Sequence, residues 1–579
     1  MRMESIYEKR GANMKKKVYS KISCILLLGI VISMLAGCGG SSSISGDASI
    51  SGSGSTVSQD KGTAGQTASV QTQTVHKDVI TFAMCGSDDS YNPYNHNSNY
   101  GDIVYDMICD HLVYVAFDGK FEPRLAESWD VSDDYKSITF HLNKNIKWHD
   151  GKPFTADDVV FTCQIVTNLE VVSNRRAYFS ALEGTDDSGV ALVANKIGVE
   201  ALDDYTVVYH FKRPMDPSAF FCGDNRKHYF LPKHLLENVA PAQFHQCDFF
   251  KHPIGTGAFK FESMIPGDRV ELVANKDYFL GAPNFNKLVM RTVQASNLVP
   301  GLMNGEIDIL AGMGLANIPL EDWELAQDIE GVKAVSLPNY GYQLMVVNNQ
   351  KEYLNNPKVR LAISKAINRQ AIVDQLAKGE GEIMYGPMVS SHPYFNEEIR
   401  MDPYDPKAAK ALLEEAGWDF NREILLMVPT GNKVREYSGP MIQQDLQAIG
   451  LKVKIQSSDL TSIIAMLKDN KCDFGLVGSS GSVDPDESRP NYIIGGGQNW
   501  GHVSDPKYAE LAIKGLTMTS FEERKKVYDE YQKLIAEECP MIYLYSTNSL
   551  VAYRDFFDYV PMIDFALQNQ KAYAWTFKK

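Results

Sequence analysis

From Val79 onward, short segments with the residue pattern of strands alternate with helices that begin at recognisable caps. Thr139 to Leu142 alternate polar and apolar residues, as a strand with one buried face does, and Asp150-Gly151 marks the turn that follows. Thr155-Ala-Asp-Asp158 has the pattern of a capping box and predicts a helix from Val159 to Leu169. This alternation predicts an α/β fold with several packed layers.

Two later helices are predicted from a capping residue followed by proline. Asn356-Pro357 predicts the start of a helix that runs through Ile372. Asp405-Pro406 predicts the start of another helix, which Gly417 ends. These patterns indicate packing and carry no information about function.

The N-terminal segment has the order of a secretory signal sequence. Lys15-Lys16-Lys17 precede the apolar run Ile22 to Leu35, which is too short to span a bilayer comfortably. The run ends in Leu35-Ala36-Gly37-Cys38, which resembles the lipobox of bacterial lipoproteins, where cleavage falls before the cysteine. We therefore expect residues 1–37 to be a lipoprotein signal peptide and Cys38 to carry the lipid. The alternative is a membrane helix with an incidental cysteine.

The segment after the predicted lipidation site cannot form a core. Residues 39–77 are dominated by Ser, Gly, Thr, Gln and Ala and contain no aromatic residue. We predict that residues 38–77 comprise the lipidated cysteine and a disordered tether, which as a random coil spans roughly 35 Å. A folded body would thus be held clear of the extracytoplasmic face of the cell membrane.

Charge and cysteine content exclude two classes of protein. The chain of 579 residues has a net charge of −15, so nothing in its electrostatics favours a nucleic-acid partner. Its nine cysteines form no CxxC pair or Cys/His cluster with zinc spacing, and no cofactor or metal site is predicted. A Cys222–Cys247 disulfide is one possibility, and buried free thiols are the other.

Several segments resemble one protein family in the order in which they occur. The family is the extracellular solute-binding proteins of peptide, dipeptide and nickel ABC importers, and the resemblance covers essentially all of residues 79–579. The matching segments are Leu125-Ala-Glu-Ser-Trp129, Phe140-His-Leu142, Ile146 to Val160, Pro253-Ile-Gly-Thr-Gly-Ala-Phe259, Asn275-Lys-Asp-Tyr-Phe279, Gly305-Glu-Ile-Asp308, Val359-Arg-Leu-Ala-Ile363, Ala366-Ile-Asn-Arg369, Tyr404-Asp-Pro-Lys-Ala408 and Glu415-Ala-Gly-Trp418.

The resemblance implies a two-lobed, periplasmic-binding-protein-like fold (type II) with an extra subdomain in lobe I. The chain of such a protein crosses twice between the lobes, and the ligand lies in the cleft between them. The implied segments are 78–112, 249–337 and 548–579 for lobe I, 113–248 for the extra subdomain, and 338–547 for lobe II.

No motif indicates catalysis. The chain contains no HExxH, GxSxG or DxDxDG sequence. His149 and Asp150 are adjacent, and neighbours on an extended strand point to opposite faces, so a hydrogen-bonded catalytic pair is not expected. Gly255-Thr-Gly257 lacks the rest of a phosphate-binding loop, and a tight turn is the better interpretation. We expect a protein that is not an enzyme.

The resemblance also locates a ligand anchor, and here the sequence departs from the family. In peptide-binding members, an acidic residue four positions before the proline of a (D/E)P motif holds the peptide α-ammonium group. The motif here is Asp484-Pro485, and four positions before the proline stands Gly481. Either the anchor is absent, or the loop is shifted and Asp484 provides it.

Other positions of the resemblance face the cleft. Trp500 matches an aromatic position that lines the cleft, with core packing as the alternative. His111 is a candidate for contact with a metal chelate, although a lone histidine is more often a hydrogen-bonding residue, and no metal site is predicted. On the side of lobe I and the crossing, the predicted ligand-binding residues are Cys85, Asp110, His111, Tyr340 and Tyr342.

The resemblance implies a monomeric substrate-binding lipoprotein that captures an oligopeptide or dipeptide and delivers it to the permease subunits of an ABC importer. One alternative is the same role for a non-peptide solute, such as an oligosaccharide or a nickel or other metal chelate. A surface lipoprotein sensor or a hydrolase is the alternative from a different class.

Overall fold

The computed structural model describes residues 77–88, 91–95, 98–173, 175–221, 228–312, 314–400, 404–561 and 571–579. The predicted signal peptide, Cys38 and the tether up to residue 76 lie outside these ranges, as does Cys222. Within them, free thiols are carried by Cys85, Cys109, Cys163, Cys247, Cys472 and Cys539.

Strands and helices alternate along the chain, so the α/β class is confirmed. The strands are β1 Val79–Met84, β2 Val113–Val115, β3 Phe121–Pro123, β4 Ala126–Val131, β5 Ser137–Leu142, β6 Val199–Asp203, β7 Thr206–His210, β8 Phe259–Ile265, β9 Arg269–Ala274, β10 Lys287–Thr292, β11 Ile309–Leu310, β12 Val332–Leu337, β13 Tyr342–Val347, β14 Gly381–Ile383, β15 Glu423–Pro429, β16 Lys452–Ser458, β17 Phe474–Ser479, β18 Met541–Thr547, β19 Ser549–Arg554, β20 Phe557–Tyr559 and β21 Thr576–Phe577.

The α-helices are Asn99–Ile108, Ala156–Thr167, Pro217–Ala219, Lys233–Leu236, Leu298–Met303, Trp323–Gln327, Pro357–Ala366, Arg369–Leu376, Pro406–Glu415, Lys433–Ala448, Leu460–Lys468, Pro506–Leu516 and Phe521–Glu538. Short 3-10 helices occur at Arg176–Phe179, Pro241–Gln246, Asp248–Lys251, Ala295–Asn297, Leu320–Asp322, Glu397–Ile399, Pro485–Asn491 and Ala572–Ala574.

A seven-stranded mixed sheet in the order β12-β19-β11-β1-β10-β9-β8 forms the centre of lobe I. Its strand β1 runs parallel to β10, with Val79 opposite Lys287, and parallel to β11. Strands that lie between neighbours on both sides are rich in apolar residues, and Ile80 and Phe82 of β1 are fully buried in the core of this lobe.

A six-stranded sheet in the order β14-β18-β13-β17-β15-β16 forms the centre of lobe II. Successive side chains of a strand point to opposite faces. Accordingly, Leu344 and Val346 of β13 belong to one apolar core, and Met345 and Val347 belong to the core on the other face. Both faces of this sheet are therefore covered.

The chain passes between the two sheets twice, from β12 to β13 and from β18 to β19. The two connections are bonded to each other. Asn339 donates from its side chain to the carbonyl of Thr547 at 2.6 Å, and Asn548 donates to the hydroxyl of Ser336 at 2.8 Å. The lobes are thus joined through paired connections, and the exact segment bounds given above remain predictions.

A four-stranded antiparallel sheet, β4-β5-β7-β6, and the preceding hairpin β2–β3 form the part called here the subdomain. The helix Ala156–Thr167 packs in its core. The predicted capping box is present, because the carboxylate of Asp158 accepts the backbone N–H of Thr155 at 3.0 Å. The strand and the helix predicted in this region are confirmed, with their ends shifted by a few residues.

His149 joins the subdomain to the Gly255–Gly257 loop. Its Nδ1 accepts the N–H of Gly255 and its Nε2 donates to the carbonyl of Gly257, both at 3.1 Å. Burial lowers the pKa of His149 to about 4, so the ring is neutral at physiological pH. Asp150 instead contacts His234 at 2.7 Å, so these two neighbours do not form a catalytic pair.

One predicted helix was wrong in its extent. The helix expected to continue through Ile372 is instead two helices, Pro357–Ala366 and Arg369–Leu376. Asn368 separates them: its side chain caps the second helix, and its N–H donates to the carboxylate of Asp445 at 2.9 Å. The helix predicted at Asp405-Pro406 is confirmed as Pro406–Glu415.

Candidate functional site

Gly481 lies against the connection that enters lobe II. Its φ is +67°, and a Cβ at this position would lie 1.9 Å from the carbonyl oxygen of Tyr340. Side chains are excluded by contact at that distance and disfavoured by that φ. The position that the resemblance assigns to an acidic anchor therefore has no room for a carboxylate in this backbone conformation.

Tyr340 connects lobe II to the subdomain. Its hydroxyl donates to the carbonyl of Phe117 at 2.5 Å, and its ring stacks on the Phe117 ring with centroids 4.9 Å apart. Phe117 lies in the turn between β2 and β3. The aromatic contact and the hydrogen bond together hold the hairpin against the connection.

His392 packs beside Tyr340, with ring centroids 5.2 Å apart. Its Nε2 donates to the carbonyl of Ser482 at 3.1 Å, and its Nδ1 accepts the N–H of Tyr394 at 3.0 Å. Burial lowers the pKa of His392 to about 3. The neutral ring thus links Tyr340 to the loop that follows Gly481.

Asp484 is paired with an arginine. Its carboxylate accepts Nη2 of Arg524 at 2.7 Å and the N–H of Asp486 at 3.0 Å, which caps the 3-10 helix Pro485–Asn491. Arg524 also donates from Nη1 to the hydroxyl of Ser218 in the subdomain at 2.9 Å. The charge of Asp484 is therefore compensated within the protein, and an amine ligand would have to share it with Arg524.

Two further carboxylates, Asp486 and Glu487, lie in this loop. Burial raises the pKa of Asp486 to about 6, although the Arg489 guanidinium lowers it. Burial also raises the pKa of Glu487, whose carboxylate accepts the hydroxyl of Ser479 at 2.9 Å. Both acids have partners inside lobe II.

The two other predicted residues of lobe II are Tyr342, which pairs with Ser479 at the start of β13, and Trp500. Tyr342 is 1% exposed and packs on Tyr543 in the core, at 5.3 Å between ring centroids. Trp500 precedes Gly501, whose carbonyl accepts the N–H of Asn349 just beyond the far end of β13. Six residues of strand span about 20 Å. The structure therefore does not bring Trp500 together with Tyr340 and Gly481.

The predicted residues of lobe I lie at two ends of one helix. The N–H of Cys85 donates to the carbonyl of Leu315 at 2.7 Å. The next residue, Gly86, contacts the ring of Tyr100 in the first turn of the helix Asn99–Ile108, whereas Asp110 follows the end of that helix. Ten helical residues rise about 15 Å. Cys85 and Asp110 therefore belong to different parts of the lobe surface.

Asp110 and His111 are bonded inside the protein. Asp110 accepts the hydroxyl of Tyr278 at 2.7 Å, and burial raises the pKa of Asp110 although Arg124 opposes this shift. His111 lies 3.4 Å from the carboxylate of Asp106. The cavity beside them measures about 20 Å³, which is room for a single water molecule.

Arg524 is the central residue that was missed from the sequence. It is fully buried, on the same helical face as Val527, Tyr528 and Tyr531. An arginine at helical spacing with buried apolar residues requires an acidic partner. That pattern would have predicted a buried ion pair, but the identity of the partner, 40 positions away, has no local signal.

In the ranges that the structure describes, no group of three or more His, Cys, Asp or Glu side chains is arranged to hold a metal ion. No helix within those ranges is long and apolar enough to cross a membrane.

Residues 120–501 match the family model of the bacterial extracellular solute-binding proteins, family 5, middle region. The oligopeptide-binding protein AppA of Bacillus subtilis is 29% identical over 449 residues, covering 74% of this chain and 78% of that protein. Heme-binding protein A of Haemophilus influenzae is 26% identical over 440 residues, covering 73% of this chain and 78% of that protein.

A solved structure of Bacillus subtilis AppA in complex with a nonapeptide matches with a TM-score of 0.67 and 26% identity, covering 86% of this chain and 99% of that one. The two-lobed fold implied by the resemblance is confirmed. Because the family model matches residues 120–501 of 579, this chain belongs to family 5 of the bacterial extracellular solute-binding proteins, which bind solutes and are not a family of enzymes.

Proposed function

We propose that this protein is the substrate-binding component of an ABC importer and captures peptides between lobe II and the parts that face it. The observation that carries the proposal is the family match together with the likeness to oligopeptide-binding AppA along most of both chains. Bound peptide is delivered to permease subunits in the membrane, and the protein acts as a monomer.

The geometry fits capture by closure. Lobe II meets the subdomain through Tyr340 and Arg524, and the two lobes are joined by paired connections that can act as a hinge. A ligand that contacts both sides binds the closed arrangement more tightly than the open one, so it shifts the population towards closure. No catalytic step is needed for this role.

The candidate site also indicates whether the α-amino group of a peptide is recognised. Position 481 has no room for a carboxylate, and the carboxylate of Asp484 is shared with Arg524. A charged amine gains little from a carboxylate that is already paired. We therefore expect binding that depends weakly on the peptide α-amino group.

The test is capture from matched libraries of free and N-acetylated peptides by the purified full-length protein, with mass spectrometry of what is retained. Intact peptides should be retained from both libraries to within about fivefold, since a specific charge-assisted bond would contribute more. A tenfold or larger preference for free amines that disappears in Asp484→Asn would show that Asp484 is the anchor.

Other results would favour the alternatives. If no peptide is retained and a metal chelate or oligosaccharide co-purifies instead, the ligand is a non-peptide solute. Cleaved fragments, abolished by a single substitution, would indicate a hydrolase. Peptide binding without any association with permease subunits in a cross-linking experiment would favour a sensor.

The lipid anchor belongs to the same proposal. It is supported by the basic segment, the apolar run and the Leu35-Ala36-Gly37-Cys38 sequence, followed by a tether without aromatic residues. Cys38→Ala should abolish lipid attachment, measured by mass spectrometry, and release the protein from the membrane fraction. Retention of the variant on the membrane with its N-terminus intact would instead indicate an uncleaved apolar anchor.

A further inference from the structure

A cavity of about 380 Å³ lies where the subdomain meets lobe II. Its volume is within the range of about 300–1,000 Å³ that ligand pockets occupy. Side chains from both parts of the molecule form its walls. The subdomain contributes Asp118, Gly119, Lys120, Phe121, Asp216, Pro217 and Ser218, and lobe II contributes Pro393, Tyr394, Val483, Thr519, Phe521 and Arg524.

The cavity is next to the contact between Tyr340 and the subdomain. Val483 follows Gly481 by two positions, and Pro393 follows His392, whose ring packs on Tyr340. Gly119 closes the gap on the subdomain side, because a Cβ there would lie 3.3 Å from Pro393 and 4.0 Å from Val483. The cavity therefore lies beside the candidate site.

The walls are largely apolar and held in place by packing. Phe121 packs edge-to-face on Phe221, with centroids 4.9 Å apart. The rings of Tyr394 and Phe521 are in contact, with centroids 4.8 Å apart, and Phe521 remains 47% exposed. Covering an exposed phenylalanine at the mouth of a cavity with a second apolar group removes apolar surface from water and is favourable.

The charged groups around the cavity already have partners. Arg524 is paired with Asp484, and Lys120 with Asp118. Asp216 caps the helix Pro217–Ala219 by accepting the N–H of Ser218. An anionic ligand group buried here would find the cations Arg524 and Lys120 already paired, and burial of a charge without a partner is costly.

We infer that this cavity receives an apolar side chain of the captured peptide, and that the protein selects peptides carrying aromatic or large aliphatic residues. The inference rests on the proposed function. Because both the subdomain and lobe II form the walls, a side chain that fills the cavity contacts both and stabilises the closed arrangement. Apolar recognition and closure are thus the same event.

The test uses two hexapeptide libraries of equal size on the full-length protein. One contains Phe, Tyr, Leu and Ile, and the other contains only Gly, Ser, Asn, Asp and Lys. Wild-type protein should retain members of the first library about tenfold or more over the second, as expected for burial of one large apolar side chain.

Thr519→Trp places a large side chain in the cavity from a half-buried position and should remove this preference. Thr517→Trp is the matched control, since Thr517 is exposed and does not line the cavity. If Thr519→Trp does not fold, Phe521→Ser takes its place, because Phe521 is half-exposed and its loss removes one apolar wall.

The outcomes separate the two ideas. Equal retention of both libraries by the wild-type protein would overturn the apolar selectivity while leaving peptide capture intact. The same conclusion follows if folded Thr519→Trp keeps the preference of the control. Retention of neither library would overturn peptide capture itself, and this inference with it.

Discussion

At the scale of single residues, Gly481 and Asp484 decide what the loop after β17 can do. Gly481 adopts a left-handed φ of +67° and packs on the carbonyl of Tyr340. Asp484 has its charge compensated by Arg524 at 2.7 Å. The chemistry available here is therefore that of backbone groups, aromatic rings and a paired ion, rather than a free carboxylate.

Substitution of Gly481 tests this interpretation of the loop. Gly481→Ala should lower the free energy of unfolding by about 2 kcal/mol or more, because a positive φ costs a side-chain-bearing residue free energy and the Cβ contact forces the loop to move. Urea denaturation monitored by circular dichroism measures the change.

Gly497→Ala is the matched control for that substitution. A Cβ at position 497 would have no heavy atom within 4 Å, and the φ of Gly497 is not positive. Its replacement should change stability by less than about 0.5 kcal/mol. Equal effects of the two substitutions would show that the loop tolerates side chains at position 481. The conclusion that this position has no room for an acidic anchor would then be wrong.

At the scale of secondary-structure elements, local signals predicted starts better than ends. Asp405 caps its helix by accepting the N–H of Ala408 at 2.9 Å, as its sequence pattern indicates. The break at Asn368 was not predicted: its side chain caps the second helix locally, but the bond from its N–H to Asp445 joins residues distant in sequence. Bonds of this kind leave no trace in a local pattern.

The candidate site was predictable only in part for the same reason. The family resemblance indicated Tyr340, Gly481 and Asp484, which the structure places in one region linked through His392. It also indicated Trp500, which lies near the far end of β13. A motif gives a position along the chain, whereas the distance between two positions is set by the length and direction of the elements between them.

At the scale of the whole molecule, polar bonds join lobe II to the subdomain. Tyr340 donates to Phe117, and Arg524 donates to Ser218. We expect opening of the cleft between these parts to break both bonds. Each bond therefore contributes to the balance between open and closed arrangements, and through it to ligand affinity.

Removal of the Tyr340 hydroxyl should weaken ligand binding through this balance. Tyr340→Phe keeps the ring stacked on Phe117 and deletes one hydrogen bond, which contributes about 1 kcal/mol to the closed arrangement, or about fivefold in Kd. Calorimetry with a peptide recovered from the library measures the affinity, and small-angle X-ray scattering of the ligand-free and ligand-saturated protein follows closure.

Tyr437→Phe, at a position that is 58% exposed, serves as the control. A Tyr340→Phe protein with unchanged affinity and unchanged closure would mean that this contact persists in the open arrangement, and the hinge would then have to move lobe II together with the subdomain.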